Sequence, residues 1–154
     1  MRALTFAFGV AAAAAPLFAQ MPAAAADPLA MPAVPGRWTY APTAYGSDAT
    51  FANDTGALQL IVRCTRATRR ISIIRPSMTA AQALQLWTSS GLRPLPAIYD
   101  PALAQLRAEV AVTDTVLDAL AYSRARFAVA VAGSPPLVVP NWPEATRAIE
   151  DCRN

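Results

Sequence analysis

The sequence predicts a mainly β (α+β) fold, an antiparallel sandwich or small barrel of about seven short strands with a packed C-terminal helix. Three observations lead to this prediction. Apolar and polar residues alternate with a period of two in several short segments, and clusters of Gly, Pro, Asn and Asp separate those segments. At the C-terminus the period changes, and apolar residues recur at the spacing of one helix face.

The strand pattern is clearest in residues 58–64, where Leu60, Val62 and Cys64 share one apolar face. Arg63 lies on the opposite face of the same segment. The turn sequence Asn-Asp-Thr-Gly precedes this strand. The other predicted strands lie around residues 38–40, 71–73, 84–86, 108–112, 127–131 and 137–139.

Two helices are predicted. The first is short, residues 116–122, and the spacing from Thr115 to Asp118 resembles a capping box at its start. The second begins after Asn141, which can cap it, with Pro143 in the first turn and Glu144 three residues beyond the cap. Its apolar face is expected to lie on the sheet and comprises Trp142, Ala145, Ile149 and Cys152.

Residues 1–26 have the three parts of a secretory signal peptide. Arg2 supplies the positive start, an apolar run follows, and a row of alanines forms the exit. A membrane anchor is the alternative, but Pro16 interrupts the run before it reaches the roughly 20 residues that a spanning helix needs. Cleavage is expected before Asp27, with a cut before Gln20 as the second choice.

Removal of residues 1–26 leaves 128 residues, enough for one domain with a substantial core. The Pro/Ala-rich segment 27–36 is expected to be an extended leader, and residues 37–154 a single β-rich domain. This chain carries 12 arginines and 10 carboxylates, a net charge of +2 (12 − 10), which argues against a nucleic-acid partner. No transmembrane segment is expected after cleavage, so the predicted location is periplasmic or secreted.

The sequence contains no histidine and no lysine. Ser-His-Asp, Cys-His and Ser-Lys arrangements are therefore excluded, and no catalytic residue, metal or cofactor is predicted. Carboxylate chemistry is the remaining catalytic alternative, because Asp114 and Asp118 lie one helical turn apart and two carboxylates can act as acid and base. One capping residue and one solvated residue is the simpler interpretation of the same pair.

The two cysteines, Cys64 and Cys152, are predicted to form a disulfide. Each lies on an apolar face, Cys64 by a period of two and Cys152 by a helical period, so both side chains are expected in the core. An exported chain reaches an oxidising compartment in which such a bond persists. Two buried thiols and a reactive pair are the alternatives, although no Cys-x-x-Cys spacing occurs.

Five arginines within residues 63–75 are candidates for an anion-binding site: Arg63, Arg66, Arg69, Arg70 and Arg75. Guanidinium groups suit phosphates, for example those of lipopolysaccharide. The alternative is a solvated turn whose charges protect a strand edge. Seven aromatic residues are candidates for a sugar-binding face, although their spread suits ordinary packing: Trp38, Tyr40, Tyr45, Trp87, Tyr99, Tyr122 and Trp142.

Three motifs mark the C-terminal part of the chain: LDALAYSRARF at 117–127, LVVPNWPE at 137–144 and IEDCR at 149–153. Together they resemble a group of small uncharacterised exported proteins of alphaproteobacteria with the pattern LDA-A-SRGRF, LP-WPE and IEDCR. That pattern has glycine at the position of Ala125 and alanine at the position of Asn141. If the turn at residue 125 requires φ > 0, alanine there is strained. The resemblance brings no activity with it.

Two functions stay open at this stage. The first is an exported binding or interaction module without catalysis, which recognises an envelope protein or polymer; an inhibitor of an envelope enzyme is one version. The second is a carboxylate-based hydrolase of envelope glycans that depends on Asp114 and Asp118. Arg124 and Arg126 are expected to pair with Asp118 or Glu150 and to serve the structure.

Overall fold

The computed structural model describes residues 27–154, so the predicted signal peptide lies outside the described residues. The elements follow one another along the chain as β1 Gly36–Thr43, β2 Gly46–Asn53, β3 Leu58–Thr65, β4 Arg70–Pro76, β5 Ala83–Thr88, β6 Gly91–Asp100, β7 Gln105–Ala111, α1 Thr115–Ala121, β8 Arg126–Val131, β9 Leu137–Pro140 and α2 Pro143–Arg153.

The strands form one curled sheet, a half-barrel in the order β1-β2-β3-β4-β7-β6-β5-β8-β9. Every neighbouring pair is antiparallel. The two ends of the sheet approach each other, because Val34 N donates to Val138 O at 2.8 Å and Trp38 Nε1 donates to Pro140 O at 2.8 Å. The mainly β fold with a C-terminal helix is thus confirmed, with nine strands where the sequence indicated about seven.

The two additional strands, β2 and β6, lack the usual sequence signal. In β2 only Phe51 is large and apolar, so no alternation of side-chain size marks it. In β6 the residues Pro94 and Pro96 argue against a strand, since proline cannot donate to a ladder. Residues 91–96 pair only with β5, and residues 97–100 pair only with β7. Pro94 and Pro96 therefore lie in a part of β6 that pairs on one side only, so a backbone N–H directed to the other side is not needed there.

The core lies between the concave face of the sheet and α2. Helix α2 packs across β1, β2 and β3, with Ala145, Ala148, Ile149 and Cys152 buried. Its predicted apolar face is therefore confirmed except at Trp142, whose side chain is 42% exposed. Apolar residues from both halves of the sheet belong to one continuous cluster, so the described chain has a single core.

Both helix starts differ from the prediction. Asp114, not Thr115, caps α1, since its Oδ1 accepts from Val116 N at 2.9 Å. Trp142 occupies the N-cap position of α2, and no side chain of the described residues caps it. Asn141 instead donates from Nδ2 to Ala121 O and Ser123 O, at 3.1 and 2.7 Å. The predicted cap is wrong because the Asn141 side chain is directed to carbonyl oxygens at the end of α1 and does not bond to the first turn of α2.

The turn between α1 and β8 holds Ala125 at φ +60°, the left-handed region that favours glycine. This is the condition under which alanine at that position is strained. Asn141 N donates to Ala125 O at 3.0 Å and fixes the turn against the start of α2. Glycine at this position would adopt the same backbone conformation without that strain.

Residues 27–35 lie against the sheet rather than running free. Pro28–Ala30 form a 3₁₀ turn capped by Asp27, and Val34 packs on the core. Arg126 Nη1 donates to Met31 O at 2.5 Å, so the predicted pairing of Arg126 with Asp118 or Glu150 is wrong. Its contact is nevertheless structural. Within residues 27–154, no helix has the length and apolar character needed to cross a membrane.

Candidate binding groove on the outer face of the sheet

Four polar residues form a row across the outer face of the sheet. The strand registers place Asp48 opposite Arg63, Arg63 opposite Ser72, and Ser72 opposite Glu109. Neighbours within such a row are close enough for their side chains to interact. The period of two explains this arrangement. In β2, β3, β4 and β7, the residues next to each of these four along the strand point to the opposite face.

A cavity of about 520 Å³ lies over this row and is called the outer groove below. Ser72 and Ile74 form its floor, because the serine side chain is shorter than its neighbours and leaves a gap in the row. Tyr45, 79% exposed, stands at the rim. The charged residues of the outer groove are Asp48, Arg63, Arg70, Arg107 and Glu109.

The charges of the outer groove are unevenly paired. Asp48 accepts two bonds from Arg63, at 2.8 Å from Nε and 2.7 Å from Nη2, and this hydrogen bonding raises the pKa of the Arg63 guanidinium. Glu109 faces two arginines at longer range, Arg70 Nε at 3.6 Å and Arg107 Nη1 at 3.4 Å. Three guanidinium groups against two carboxylates leave one excess positive charge.

The structure separates the five arginines that the sequence groups together. Arg63 and Arg70 line the outer groove. Arg69 has φ +50° and donates from Nη2 to Arg153 O at 3.0 Å. Arg75 lies on the core face, where it donates to Val129 O at 2.7 Å and Pro135 O at 2.9 Å. Burial lowers the pKa of the Arg75 guanidinium.

Arg66 follows β3 in a short 3₁₀ turn and does not line the outer groove. The predicted five-arginine site is therefore not one site. Arg107, which was not predicted to belong to the site, lines the outer groove because β7 pairs with β4. The alternation of Arg107 and Glu109 with Ala108 shows that both point outward, but only the register shows what they face.

The predicted disulfide is present. The Cys64 and Cys152 sulfur atoms are 2.18 Å apart and the two Cα atoms 5.4 Å apart, so β3 is joined to α2 over a sequence separation of 88. Gly46 lets β2 pass close to this bond, because a Cβ at that position would lie 2.2 Å from Cys64 O. The bond lies on the core face, directly behind the outer groove.

The two carboxylates on which hydrolysis would depend have separate contacts. Asp114 caps α1 and lies 3.5 Å from Arg93 Nη2. Asp118 lies 2.8 Å from Arg153 Nη2. Among residues 27–154, no group of three or more His, Cys, Asp or Glu side chains is arranged to hold a metal ion.

The aromatic residues fall into distinct environments. Trp38 is 3% exposed and packs against Phe51 and Phe127. The Arg147 guanidinium lies over the ring of Tyr40, with its Cζ atom 4.2 Å from the ring centre. The Tyr40 hydroxyl donates a hydrogen bond to Asp151. That hydrogen bond, with the charges of nearby arginines, lowers the pKa of Asp151. Trp142 and Tyr122 remain exposed.

Comparisons with protein-family models, with curated proteins and with solved structures find no match. The fold and the site therefore define the class of protein by themselves: a disulfide-bonded antiparallel half-barrel with a charged groove on its outer face.

Proposed function

We propose that the protein is an exported binding module of the cell envelope, without catalysis of its own, and that the outer groove contacts an anionic group of its partner. The observation that carries this proposal is the set of three arginines around Ser72. Arg70 and Arg107 share one carboxylate at distances longer than good hydrogen bonds. Their remaining N–H donors suit the oxygens of a carboxylate or phosphate.

Two features support export. The N-terminal apolar run has the composition of a signal peptide, and a disulfide bond persists in an oxidising compartment. The resemblance of the C-terminal motifs to exported proteins points the same way. Export brings the outer groove into contact with envelope proteins and polymers, many of which carry carboxylates or phosphates.

Binding is favoured over hydrolysis by the contacts of the acidic residues. Asp114 and Asp118 each contact a different arginine, and Asp114 also caps a helix. In the outer groove, Asp48 is held by two bonds from Arg63. These carboxylates take part in ion pairs and capping, and no observation favours the hydrolase.

The test is retention of envelope components on the immobilised, oxidised protein at physiological salt. The groove variant combines Arg70→Ser and Arg107→Ser, which changes the net charge of the outer groove from +1 to −1. Arg124→Ser is the matched control, because Arg124 is exposed and does not line the outer groove. We expect one anionic partner to be retained by the wild type and the control and lost by the groove variant.

Equal retention by the groove variant would show that the partner binds elsewhere. If the wild type retains nothing with its disulfide intact, the binding function itself is contradicted. A photocrosslinking amino acid at Thr65, which lines the outer groove, identifies the contact directly.

A further inference from the structure

Trp142 is the most exposed of the three tryptophans whose positions along the chain made them sugar-binding candidates. Its side chain lines two cavities, of about 560 and 550 Å³. Asn141, Thr146, Arg147 and Glu150 contribute polar groups to the first. We propose that Trp142 is the stacking platform of a second binding site, for a neutral oligosaccharide.

The position of Trp142 is fixed by its neighbours. It lies between Pro140 and the first residue of α2, Pro143, and Trp142 N donates to Pro140 O at 3.2 Å. Asn141 ties the preceding backbone to the end of α1 through two hydrogen bonds. A tryptophan side chain has only two rotatable bonds, so little conformational freedom is lost when a ligand covers it, which favours binding.

Charge decides between a neutral and an ionic ligand. The first cavity contains Arg147 and Glu150, and the second contains Arg37 and Asp54, so each holds one charge of either sign. The outer groove, by contrast, has an excess positive charge. Balanced, partly exposed charges offer both donors and acceptors without selecting a net charge, which suits the hydroxyl groups of sugars.

The first cavity also offers polar groups of several kinds. Thr146 and Glu150 line it beside Arg147, so a hydroxyl, a carboxylate and a guanidinium group lie at one cavity. Sugar hydroxyl and acetamido N–H groups can pair with such donors and acceptors.

The apolar surface of the indole supplies the other half of the recognition. One face of a pyranose ring presents mainly C–H groups, which pack flat on an aromatic ring while the hydroxyl groups point sideways. Because two cavities share Trp142, the ligand is expected to extend beyond one sugar ring. No residue that lines these two cavities lines the outer groove, so the two sites are tested independently.

The experiment follows the indole N–H signals of the oxidised, ¹⁵N-labelled protein by NMR during titration with neutral N-acetylglucosamine trimer. The protein has three tryptophans, and Trp142→Phe identifies the signal of Trp142 by its loss. We expect that signal to shift while the signal of buried Trp38 stays in place. Trp142→Ala is expected to weaken binding by about tenfold or more, and Trp142→Phe less, because phenylalanine keeps an aromatic surface.

Tyr45→Ala is the matched control, since Tyr45 is an exposed aromatic residue at the rim of the outer groove. It is expected to leave sugar binding unchanged. An unshifted Trp142 signal at millimolar trimer, or equal affinity in Trp142→Ala with a native spectrum, overturns the proposal. A shift produced by an uncharged peptide of similar size but not by the sugar also overturns it and makes the site a peptide site.

Discussion

The two faces of β3 and β4 differ in what their side chains do. On the inner face, Cys64 is bonded to α2, and Ile71 and Ile73 belong to the continuous core. On the outer face, Arg63 is exposed and lies opposite Ser72, a buried residue at the floor of the outer groove. Consecutive residues of one strand therefore belong to the core and to the outer groove in turn, and substitutions on the two faces are expected to have different consequences.

The contrast between the two faces is also seen in a single residue type, arginine, at positions Arg63 and Arg75. The guanidinium of Arg63 is on the outer face and paired with a carboxylate, while that of Arg75 is on the inner face and bonded to two carbonyl oxygens. Density of arginine in the sequence thus does not indicate a common site. The parity of each position in its strand decides which face it joins.

Cys152→Ser is expected to have the largest effect on stability. The chain-entropy model gives about 4.6 kcal/mol for a bond that closes a loop over a sequence separation of 88, a large part of the stability of a domain of this size. Urea unfolding without reductant measures the loss, and α2 is expected to loosen first, with higher exposure of Trp142. The double variant Cys64→Ser/Cys152→Ser should match the single one. Two alkylatable thiols in the oxidised wild type would contradict the bond.

Arg75→Leu is expected to cost about 2 kcal/mol of unfolding free energy, because it leaves Val129 O and Pro135 O without their charged donor. Chemical denaturation measures this loss. Arg75→Lys tests the geometry, since one ammonium group cannot reproduce the two-pronged contact. A loss of partner binding without any loss of stability would place Arg75 in the recognition surface instead.

Ala125 lies in the turn between α1 and β8 and so belongs to neither face of the sheet. Ala125→Gly is expected to stabilise the protein by about 1 kcal/mol. The residue has φ +60°, where the side chain of alanine costs about 1–2 kcal/mol and glycine recovers most of this. Thermal unfolding measures the gain. Ala128→Gly, in strand β8, is the control and should destabilise. Equal effects of the two substitutions would show that the turn is not strained.

Arg63→Leu is expected to change stability by less than about 1 kcal/mol, because the pair with Asp48 is on the solvated face. Its effect should fall further at high salt. Compared with Arg75→Leu under the same conditions, it measures the difference between the two faces directly. A loss as large as that of Arg75→Leu would remove the distinction.

Asp151 is expected to make a small, pH-dependent contribution. Its pKa is lowered by the hydrogen bond from Tyr40, so the contribution is present above the unfolded pKa of about 4 and is lost as the pH falls through the lower folded pKa. Tyr40→Phe should raise the pKa of Asp151, as followed by carboxyl ¹³C NMR. Asp151→Asn should flatten the stability profile below about pH 4. An unchanged profile would show that the contact does not affect folding.

The features that the sequence predicts well depend on local periodicity. The apolar faces of β3 and α2 follow from periods of two and 3.6, and the pairing of Cys64 with Cys152 follows from those faces. The features it misses depend on distant partners. Arg107 joins the outer groove through the β4–β7 register. Asn141 donates to the carbonyl oxygens of Ala121, the last residue of α1, and of Ser123 just after it, both distant in sequence.

The contact between Val34 and β9 bears on where the chain can be shortened. Val34 N donates a hydrogen bond to Val138 O on β9, which is the last strand of the sheet. Backbone groups on such a strand pair readily with other polypeptides when nothing covers them. A chain that begins at Asp27 keeps this cover, whereas a chain trimmed past Val34 loses the donor to Val138 O and exposes a backbone acceptor for strand addition. Residues 27–35 thus cover part of the edge of β9.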